Sequence, residues 1–383
     1  MAKKMNAITK LIDELCPEGV EFKELIKLAS VETGTQLNKT EMTGSGKYPV
    51  LNGGINPSGF YHECNTDENT IAVSQGGASA GYVNFVTSKF WAGAHCFVIK
   101  PTCKEINNRY LFFLLKNGQD KLQNAKLGAG IPGLNKKELQ DFLLPIPPIA
   151  VQEEIVNILD TFTTLEATLE TELEMQKKQY GYYREELLTF GDDVKWKTLD
   201  EVCISINAGG DLPKNYLKGQ NEPTADFPFP IYSNGTEENA LYGYTDDYRI
   251  DNEAVTISAR GTIGYHAVRS PKFTPIVRLL VLIPKKNIAT PQFLNYVLDI
   301  TEIGHSGGSI PQLTVPNVKK IKSPIPPLDD QHRIVAILDK FDALVNDISA
   351  GLPAELNARR KQYEYYRDKL LTFEPLEAEY AKQ

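Results

Sequence analysis

The chain has 383 residues, of which 42% are hydrophobic and 23% charged, with 41 basic and 49 acidic side chains. This composition is too apolar for a disordered polymer, and the length exceeds one ordinary core, so we expect at least two globular units. The longest apolar runs, such as 110–115, are far shorter than the roughly 20 residues of a membrane span, and residues 1–19 mix Lys with Asp and Glu instead of forming a secretory signal. The sequence predicts a cytoplasmic protein that does not associate with membranes.

Five cysteines are present, and no two of them form a Cys-x-x-Cys pair: Cys16, Cys64, Cys96, Cys103 and Cys203. An odd number without this spacing favours a reducing compartment over a disulfide framework. We expect these side chains to be small buried apolar groups.

The chain contains an internal repeat. The motif Pro-Ile-Pro-Pro occurs at 145–148 and at 324–327, and each copy is followed by a glutamine and then by Ile-Leu-Asp. A tyrosine-rich block at 179–190 returns at 362–373, so the second copy has gained four residues between the two blocks. Such self-similarity indicates two copies of one structural plan.

Weaker matches extend the repeat upstream of each Pro-Ile-Pro-Pro motif. They pair 20–23 with 194–197, 48–50 with 229–231, 74–77 (Ser-x-x-Gly) with 258–261, and 131–134 (Ile-Pro-x-Leu) with 310–313. The chain is therefore predicted to run as unit, connector, unit, connector, with the boundaries 1–148, 149–190, 191–327 and 328–383. The connectors are alike in detail, whereas the units share a few short motifs in the same order and differ in most of the residues between them.

Short apolar runs predict strands in both units: Thr70–Val73 and Ala94–Ile99 in the first, Ala254–Ser258 and Val277–Ile283 in the second. Gly and Asn clusters, as at 52–54 and 233–235, separate these runs as turns do. Each unit also carries one predicted helix, at Asn108–Lys116 and at Pro291–Leu298. We assign the fold class α+β, with two similar β-rich units.

The connectors have a different pattern. After the prolines, apolar residues recur at spacings of three and four, which predicts long helices that pack on another helix. The simplest partner for each is the other connector, and an ordinary core stripe inside one compact domain is the alternative. Residues 152–190 would span roughly 58 Å as one helix. The four additional residues of the second copy, around Gly351–Pro353, are predicted to interrupt its helix.

Acidic charge is concentrated in the connectors. Residues 145–190 carry 3 basic and 9 acidic side chains and residues 324–383 carry 8 and 11, whereas the units 1–144 and 191–323 carry 16 and 14, and 14 and 15. A nearly neutral unit can present a basic face to nucleic acid, but acidic helices are poor DNA contacts. The helices are better suited to contact a protein partner or solvent.

No candidate catalytic motif is supported when the two copies of the repeat are compared. Gly128-x-Gly130-x-x-Gly133 fits a dinucleotide pattern, but it contains Pro132, follows a predicted helix and is not reproduced in the second copy. The residues His62, Cys64, His95, Cys96 and Cys103 offer metal-ligand chemistry without a zinc spacing. The histidines His266, His305 and His332 lack an evident Ser or Cys partner. We therefore predict no catalytic residue, no metal site and no cofactor held by this chain.

Two related units without catalytic residues indicate a protein that recognises and binds a target. If both units bind DNA, one chain can contact two half-sites on one duplex, with the helix length setting their separation. Units that differ in sequence would read different bases. The predicted target is asymmetric and interrupted.

The two Pro-Ile-Pro-Pro connectors with their Gln-Tyr-x-Tyr-Tyr-Arg and Leu-Leu-Thr-Phe ends, each following a variable unit, resemble the specificity subunit of a type I restriction-modification system. The resemblance covers essentially the whole chain. It is specific in the connectors and weak inside the units, so no base-reading residue can be transferred from the family.

The resemblance implies that each variable unit is a target recognition domain for one half of a bipartite DNA sequence. It implies that the connector helices form an antiparallel coiled coil, which sets the spacer and docks two methyltransferase subunits. Those subunits bring S-adenosylmethionine and flip out the target adenine. Restriction subunits would add translocation and cleavage. This chain would then be a non-catalytic subunit that binds double-stranded DNA.

Candidate residues follow from this picture. For partner docking and coil packing we select Gln152, Leu159, Tyr180, Tyr183, Leu187, Gln331, Leu338, Tyr363, Tyr366 and Leu370, for which packing within the chain is the alternative. For DNA we select side chains that can read base edges or hold phosphates near the shared glycine loops: Lys47, Asn52, Gln75, Lys136, Lys137, Asn234, Arg260, Lys319 and Lys320. A solvated surface position is the alternative for each of these.

Two other functions stay open. A diverged DNA methyltransferase would transfer methyl groups to DNA as a purified chain. A scaffold that does not bind DNA would show no sequence preference on any duplex.

Overall fold

A computed structural model describes residues 2–125, 133–303 and 312–376. The chain divides into two compact units. Unit 1 comprises residues 1–170 together with 355–383, and unit 2 comprises residues 171–354. None of the described helices is both long enough and apolar enough to cross a membrane.

Unit 1 begins with a helix and continues as a strand-rich domain. Its elements ahead of the first connector are α1 (Ala2–Leu15), β1 (Glu21–Glu24), α2 (Leu25–Leu28), β2 (Ala29–Thr33), β3 (Tyr48–Leu51), β4 (Gly59–Tyr61), β5 (Thr70–Ser74), β6 (Val83–Val86), β7 (Trp91–Ala92), β8 (Cys96–Pro101), α3 (Asn108–Asn117), α4 (Gln119–Asn124), α5 (Lys136–Gln140) and β9 (Leu143–Ile146).

Three sheets organise these strands. The largest is antiparallel in the order β2-β8-β5-β6, and its central strand β5 is buried along its whole length. A second sheet has the order β4-β3-β7, with β7 parallel to β3. The third pairs β1 with β9, the strand that leads into the first connector.

Helix α3 packs on the largest sheet. Asn107 caps its first turn, because the side-chain oxygen accepts hydrogen bonds from the backbone N–H groups of Arg109 and Tyr110. Tyr110 and Leu111 are fully buried in the core that this helix shares with β5 and β8.

The first connector is one helix, α6 (Ile149–Leu188), which begins directly after Pro148. Its first part belongs to unit 1 and its last part to unit 2. Pro148 is compatible with this position because proline lacks the N–H that a first turn leaves unpaired.

Unit 2 repeats the plan of unit 1. After α6 its elements are β10 (Lys195–Thr198), α7 (Leu199–Val202), β11 (Cys203–Ala208), β12 (Tyr216–Lys218), β13 (Phe229–Tyr232), β14 (Leu241–Thr245), β15 (Ala254–Ser258), β16 (His266–Arg269), β17 (Thr274–Pro275), β18 (Leu279–Pro284), α8 (Pro291–Asp299), α9 (Val315–Lys319), β19 (Lys322–Ile325) and α10 (Leu328–Val345). Helix α11 (Leu352–Leu371) follows and lies mostly in unit 1.

The sheets of unit 2 have the same order as those of unit 1. The largest runs β11-β18-β15-β16, the second runs β12-β14-β13-β17 with β17 parallel to β13, and β10 pairs with β19. Strand β12 is an addition that has no equivalent among the described strands of unit 1. The sequence repeat is therefore also a repeat of topology.

Connector helices pair within each unit. In unit 1, the ring of Phe162 on α6 lies 5.7 Å from that of Tyr366, while Arg360 forms ion pairs with Glu166 (2.6 Å) and Glu170 further along α6. Rising numbers on α6 meet falling numbers on α11, so these two helices are antiparallel. In unit 2, Phe341 of α10 stacks on Tyr180 and Tyr183 of α6, at 6.3 and 5.5 Å.

The second connector is interrupted between α10 and α11, as the sequence predicted. Asp347 closes the intervening turn by accepting hydrogen bonds from the N–H groups of Ser349 (2.7 Å) and Ala350 (3.2 Å). Gly351 has no room for a side chain, since an added Cβ would lie 2.3 Å from the Ala343 carbonyl oxygen.

Candidate nucleic-acid interface and connector surface

In unit 2, three segments meet at one end of the largest sheet. We call residues 233–236, 259–264 and 276–278 the unit 2 loop cluster. The side-chain oxygen of Asn234 accepts a hydrogen bond from the Ala259 N–H at 3.1 Å, and the same N–H donates to the Arg278 carbonyl at 3.1 Å. Ser258, fully buried, donates to the Gly235 carbonyl at 3.3 Å. These bonds fix the three loops relative to each other.

Unit 1 builds the same cluster from different residues. We call residues 52–54, 75–81 and 93–95 the unit 1 loop cluster. The Asn52 oxygen accepts from the His95 N–H at 3.2 Å, and the Gln75 N–H donates to the His95 carbonyl at 2.9 Å. The hydroxyl of Ser74 donates to the Gly54 carbonyl at 3.4 Å.

The motifs shared by the two units are the frame of these clusters. Leu134 donates its N–H to Gln75 at 2.7 Å, and Leu313 donates to Ala259 at 2.9 Å, so the Ile-Pro-x-Leu segments end beside the Ser-x-x-Gly turns in both units. The glycines that close the two Ser-x-x-Gly motifs, Gly77 and Gly261, have φ values of +76° and +78°. This conformation is costly for other residues, which explains why the glycine is repeated.

The side chains carried on this frame differ between the units. Unit 1 presents Gln75 and His95, an amide and an imidazole that can form hydrogen bonds, whereas unit 2 presents the guanidinium groups of Arg260 and Arg278 at or beside the corresponding positions. Each of the two asparagines, Asn52 and Asn234, uses its side-chain oxygen to accept a hydrogen bond inside its own cluster, and its amide N–H groups can donate to a ligand. His95 and Arg278 were not predicted as DNA contacts, because only the fold brings them beside the glycine turns.

Five predicted lysines lie outside the two clusters. Lys47 precedes β3, at the end of that strand away from Asn52, and its ammonium lies 5.0 Å from the Tyr48 ring centre. Lys319 forms an ion pair with Asp200 at 3.0 Å, beside α7, and Lys320 follows it. Lys136 and Lys137 are exposed in the first turn of α5, shortly after Leu134.

The repeated glutamines join each connector helix to its own unit. Gln152 is fully buried: its amide nitrogen donates to the carbonyls of Glu105 and Pro147, both at 2.8 Å, and its oxygen accepts from the Asn107 N–H at 2.8 Å. All three contacts lie at the start of α3 or at the end of β9. The glutamine therefore connects helix α6 to both.

Gln331 makes the same three bonds in unit 2. It is fully buried, donates to the carbonyls of Ile288 and Pro326 at 2.9 Å each, and accepts from the Thr290 N–H at 3.1 Å. Thr290 caps α8 as Asn107 caps α3. Identical bonding in two units of different sequence indicates a structural role.

The ten residues selected for partner docking and coil packing differ in burial. Six of the ten side chains are enclosed by their own unit and offer no surface to a partner: Gln152, Leu159, Tyr180, Gln331, Leu338 and Leu370. Four are partly or largely accessible: Tyr183, Leu187, Tyr363 and Tyr366.

Two exposed tyrosines were missed by the sequence prediction. Tyr182 and Tyr365 occupy equivalent positions on α6 and α11 and are both 63% exposed. Each packs edge-on against the next tyrosine, with ring centres 5.5 Å apart for Tyr182 and Tyr183 and 5.2 Å for Tyr365 and Tyr366. Exposed aromatic side chains are a frequent feature of protein interfaces, and their repetition in both copies was available in the sequence.

Unit 2 also contains a group of charges between α8 and the connector. Asp299 lies 3.5 Å from the His266 ring nitrogen and 3.9 Å from the Arg184 guanidinium. Burial raises the pKa of the Asp299 carboxyl, and the two cations oppose that rise. Asp342 and Tyr296 line the same polar cavity.

The predicted absence of metal ligation can be compared with the positions of the side chains. Cys96 is buried, and burial raises the pKa of its thiol to about 12, which disfavours the thiolate that binds metals. Within residues 2–125, 133–303 and 312–376, no three His, Cys, Asp or Glu side chains are grouped to hold a metal ion. Gly128, Gly130 and His305 lie outside the described residues.

The family model of the type I restriction modification DNA specificity domain matches this chain twice, at residues 17–175 and 191–358. The two matches cover most of the sequence and correspond to the two copies of the repeat. The chain therefore belongs to the type I restriction-modification specificity family, and the resemblance inferred from the connectors is confirmed.

Two relatives from bacteria are described as specificity subunits. A protein of Mycoplasma pneumoniae described as a type I specificity subunit is 32% identical over 309 residues, covering 77% of this chain and 90% of the relative. A type I restriction enzyme specificity subunit of Haemophilus influenzae is 32% identical over 389 residues, covering 92% and 96%.

The fold is found in solved structures. The crystal structure of a type I restriction-modification S subunit from M. genitalium has a TM-score of 0.67 with 21% identity, covering 92% of this chain and 96% of that one. The predicted fold class, two α+β units with long connector helices, is confirmed.

Proposed function

We propose that this chain is the non-catalytic subunit that gives a type I restriction-modification complex its DNA specificity, with each unit reading one half of a bipartite, asymmetric target. The observation that carries the proposal is the pair of loop clusters. They share a hydrogen-bonded frame and differ in the side chains on it, as expected for two readers of different sequences.

Charge supports this assignment of roles. The unit 2 loop cluster carries Arg260 and Arg278 on a unit that is nearly neutral as a whole, while the acidic excess of the chain lies in the connectors. Phosphate and base-edge contacts use cationic and amide side chains. The DNA-binding role is therefore assigned to the loop clusters and not to the helices.

The connectors are assigned to the spacer and to two methyltransferase subunits, which would supply S-adenosylmethionine; restriction subunits would complete the complex. The support for docking is the exposed tyrosine pair at equivalent positions, Tyr182–Tyr183 and Tyr365–Tyr366. Two equivalent surfaces on one chain fit two copies of the same partner.

The test is to express the chain with its methyltransferase partner and to map methylated adenines by methylation-sensitive sequencing. One interrupted asymmetric motif is expected. The variant R260A should alter only one half of that motif, and K322A, at an exposed lysine of strand β19 outside the clusters, should leave the motif unchanged. A continuous motif, or changes in both halves in R260A, would contradict the proposal.

The two other functions give different results. A stand-alone methyltransferase would label DNA when the purified chain alone receives S-adenosylmethionine. A scaffold would give gel shifts without sequence preference even with the methyltransferase present.

A further inference from the structure

Arg278 has an unfavourable backbone conformation. It is the third residue of the turn 276–279, closed by a hydrogen bond of 3.2 Å from the Leu279 N–H to the Ile276 carbonyl, and its φ is +72°. This position favours Gly or Asn, which adopt positive φ at lower cost than arginine. The arginine lowers the stability of the turn that holds it.

The Arg278 side chain makes no contact with the described residues of its unit that would compensate for this backbone strain. Arg278 is exposed and follows Val277, itself 49% exposed. Across the part of the chain that the structure describes, no ion pair or side-chain hydrogen bond involves Arg278. Arg269 is the contrast: its guanidinium lies 4.0 Å from the Tyr232 ring centre and donates to the Thr256 hydroxyl at 3.2 Å.

The turn belongs to the unit 2 loop cluster. The Arg278 carbonyl accepts from the Ala259 N–H, which also binds the Asn234 side chain, so the arginine is held beside Asn234 and Arg260. In the unit 1 loop cluster the corresponding carbonyl is that of His95. Strained residues concentrate at functional sites, where a ligand uses the conformation that the fold imposes.

We propose that Arg278 is a specificity-determining residue that reads a guanine in the half-site bound by unit 2. This inference rests on the proposed function. An arginine fork donates two parallel hydrogen bonds to O6 and N7 of guanine in the major groove, the contact by which arginine most often distinguishes a base. Unit 1, with His95 there, reads that position differently.

The test compares R278G with K272G in the complex with the methyltransferase. Lys272 is exposed and has a φ of +69°, but it lies at the Ala254–Arg269 end of the β15–β16 hairpin, whereas the loop cluster lies at the Ser258 end. Both substitutions remove one cation and relieve one left-handed backbone position. Both purified chains should melt at a higher temperature than the unchanged chain.

Only R278G should lose specificity. We expect its discrimination between G·C and the other base pairs to fall roughly 10- to 100-fold at one position of one half-site, measured on a randomised duplex library. R278K should restore overall affinity but not the discrimination, because an ammonium lacks the planar fork.

Two results would overturn the inference. R278G could retain the full preference at every position, or it could lose affinity equally for all sequences, which would assign Arg278 to a phosphate. If the complex with the unchanged chain has no sequence preference at all, the proposed function fails first, and this outcome is distinct from the other two.

Discussion

Arg109 donates two hydrogen bonds to one carboxylate oxygen of Asp160, at 2.9 Å from Nε and 2.7 Å from Nη2, and so joins helix α3 to helix α6. Its guanidinium also lies 4.4 Å from the ring centre of Phe85. In unit 2 the equivalent aspartate, Asp339, accepts a hydrogen bond of 2.6 Å from the Tyr296 hydroxyl instead. The aspartate of the repeated Ile-Leu-Asp motif thus anchors a different partner in each unit.

The variant R109A should destabilise unit 1 by about 2 kcal/mol, because it removes the ion pair and the contacts with aromatic rings together. The denaturant midpoint of the unit 1 transition measures this loss. R109K should recover only part of it, since lysine lacks the planar fork. R333A, which removes an exposed ion pair with Asp330 at 3.0 Å, is the matched control and should change stability by less than about 0.5 kcal/mol. Equal effects of R109A and R333A would contradict the anchoring role.

The buried glutamine of unit 2 gives a second prediction. Q331L should cost about 2–4 kcal/mol, because it leaves the Thr290 N–H and the Ile288 and Pro326 carbonyls without their partner. Q176L, at an exposed glutamine that bonds only Glu172, should have almost no effect. Urea titration of both variants measures the difference.

Q331E adds a pH test of the same contacts. A buried glutamate facing two carbonyls would have a raised pKa, so its charged form is penalised in the folded state. The variant should therefore be least stable near pH 8 and recover as the pH falls toward 5, where the protonated acid can donate one of the two lost hydrogen bonds. A stability that rises with pH in Q331E relative to the unchanged chain would show that the carbonyls are not its neighbours.

Asp299 gives a third prediction, on acid dependence. Because burial raises its pKa above the ordinary value of 3.8, the folded state binds this proton more tightly than the unfolded state. The free energy of unfolding must then fall as pH rises from the ordinary pKa to the raised one, and above the raised pKa the loss is complete. D299N has no such proton, so its stability relative to the unchanged chain should improve as the pH rises from the ordinary pKa of 3.8 to the raised one. A relative stability that worsens over that interval would mean that His266 and Arg184 outweigh burial.

A fourth prediction concerns the interruption of the second connector. Deleting residues 347–350, about one helical turn in number, should change the spacer of the DNA target or weaken methylation while both half-site sequences stay the same. Methylation mapping reports both properties at once. A changed half-site sequence would show that the connector affects base reading directly.

The exposed tyrosines give a fifth prediction. Y182A and Y365A should weaken assembly with the methyltransferase, each reducing the stoichiometry toward one bound partner, without lowering the melting temperature of the chain, because both side chains are 63% exposed. I204A, which removes an equally exposed side chain (65%) from strand β11, is the control for loss of surface apolar area. Sedimentation of mixtures measures the stoichiometry. Unchanged assembly in Y182A and Y365A would remove these tyrosines from the interface.

Patterns of apolar residues were enough to predict some of the regular elements, although helix α1 was not among them. The strand expected at Thr70–Val73 is β5, Thr70–Ser74, and the helix expected at Pro291–Leu298 is α8, Pro291–Asp299. The first segment is a continuous apolar run, and the second is a short, mostly apolar segment that begins with a proline, so local sequence determines much of their type and their ends.

The contacts of individual side chains could not be predicted in the same way. The repeat identified Gln152 and Gln331 as important, but it could not distinguish a buried hydrogen-bonding residue from a docking residue, because both leave the same pattern in the sequence. Arg278 matches nothing in the repeat, and its position depends on β17 and β18 meeting the 259–264 loop in space. The identity of residues at a loop cluster is a tertiary property that spacing along the chain does not encode.

Unit 2 is one uninterrupted stretch of chain, whereas unit 1 is completed by residues from the far end of the polypeptide. Leu370 and Leu371 are buried in the unit 1 core, and the Val20 N–H donates to the Glu374 carbonyl at 2.9 Å. During synthesis, the part made first must therefore wait for the part made last before its core can close. Truncation of the chain just ahead of residue 355 would therefore damage the core of the amino-terminal unit and leave every residue of unit 2 in place.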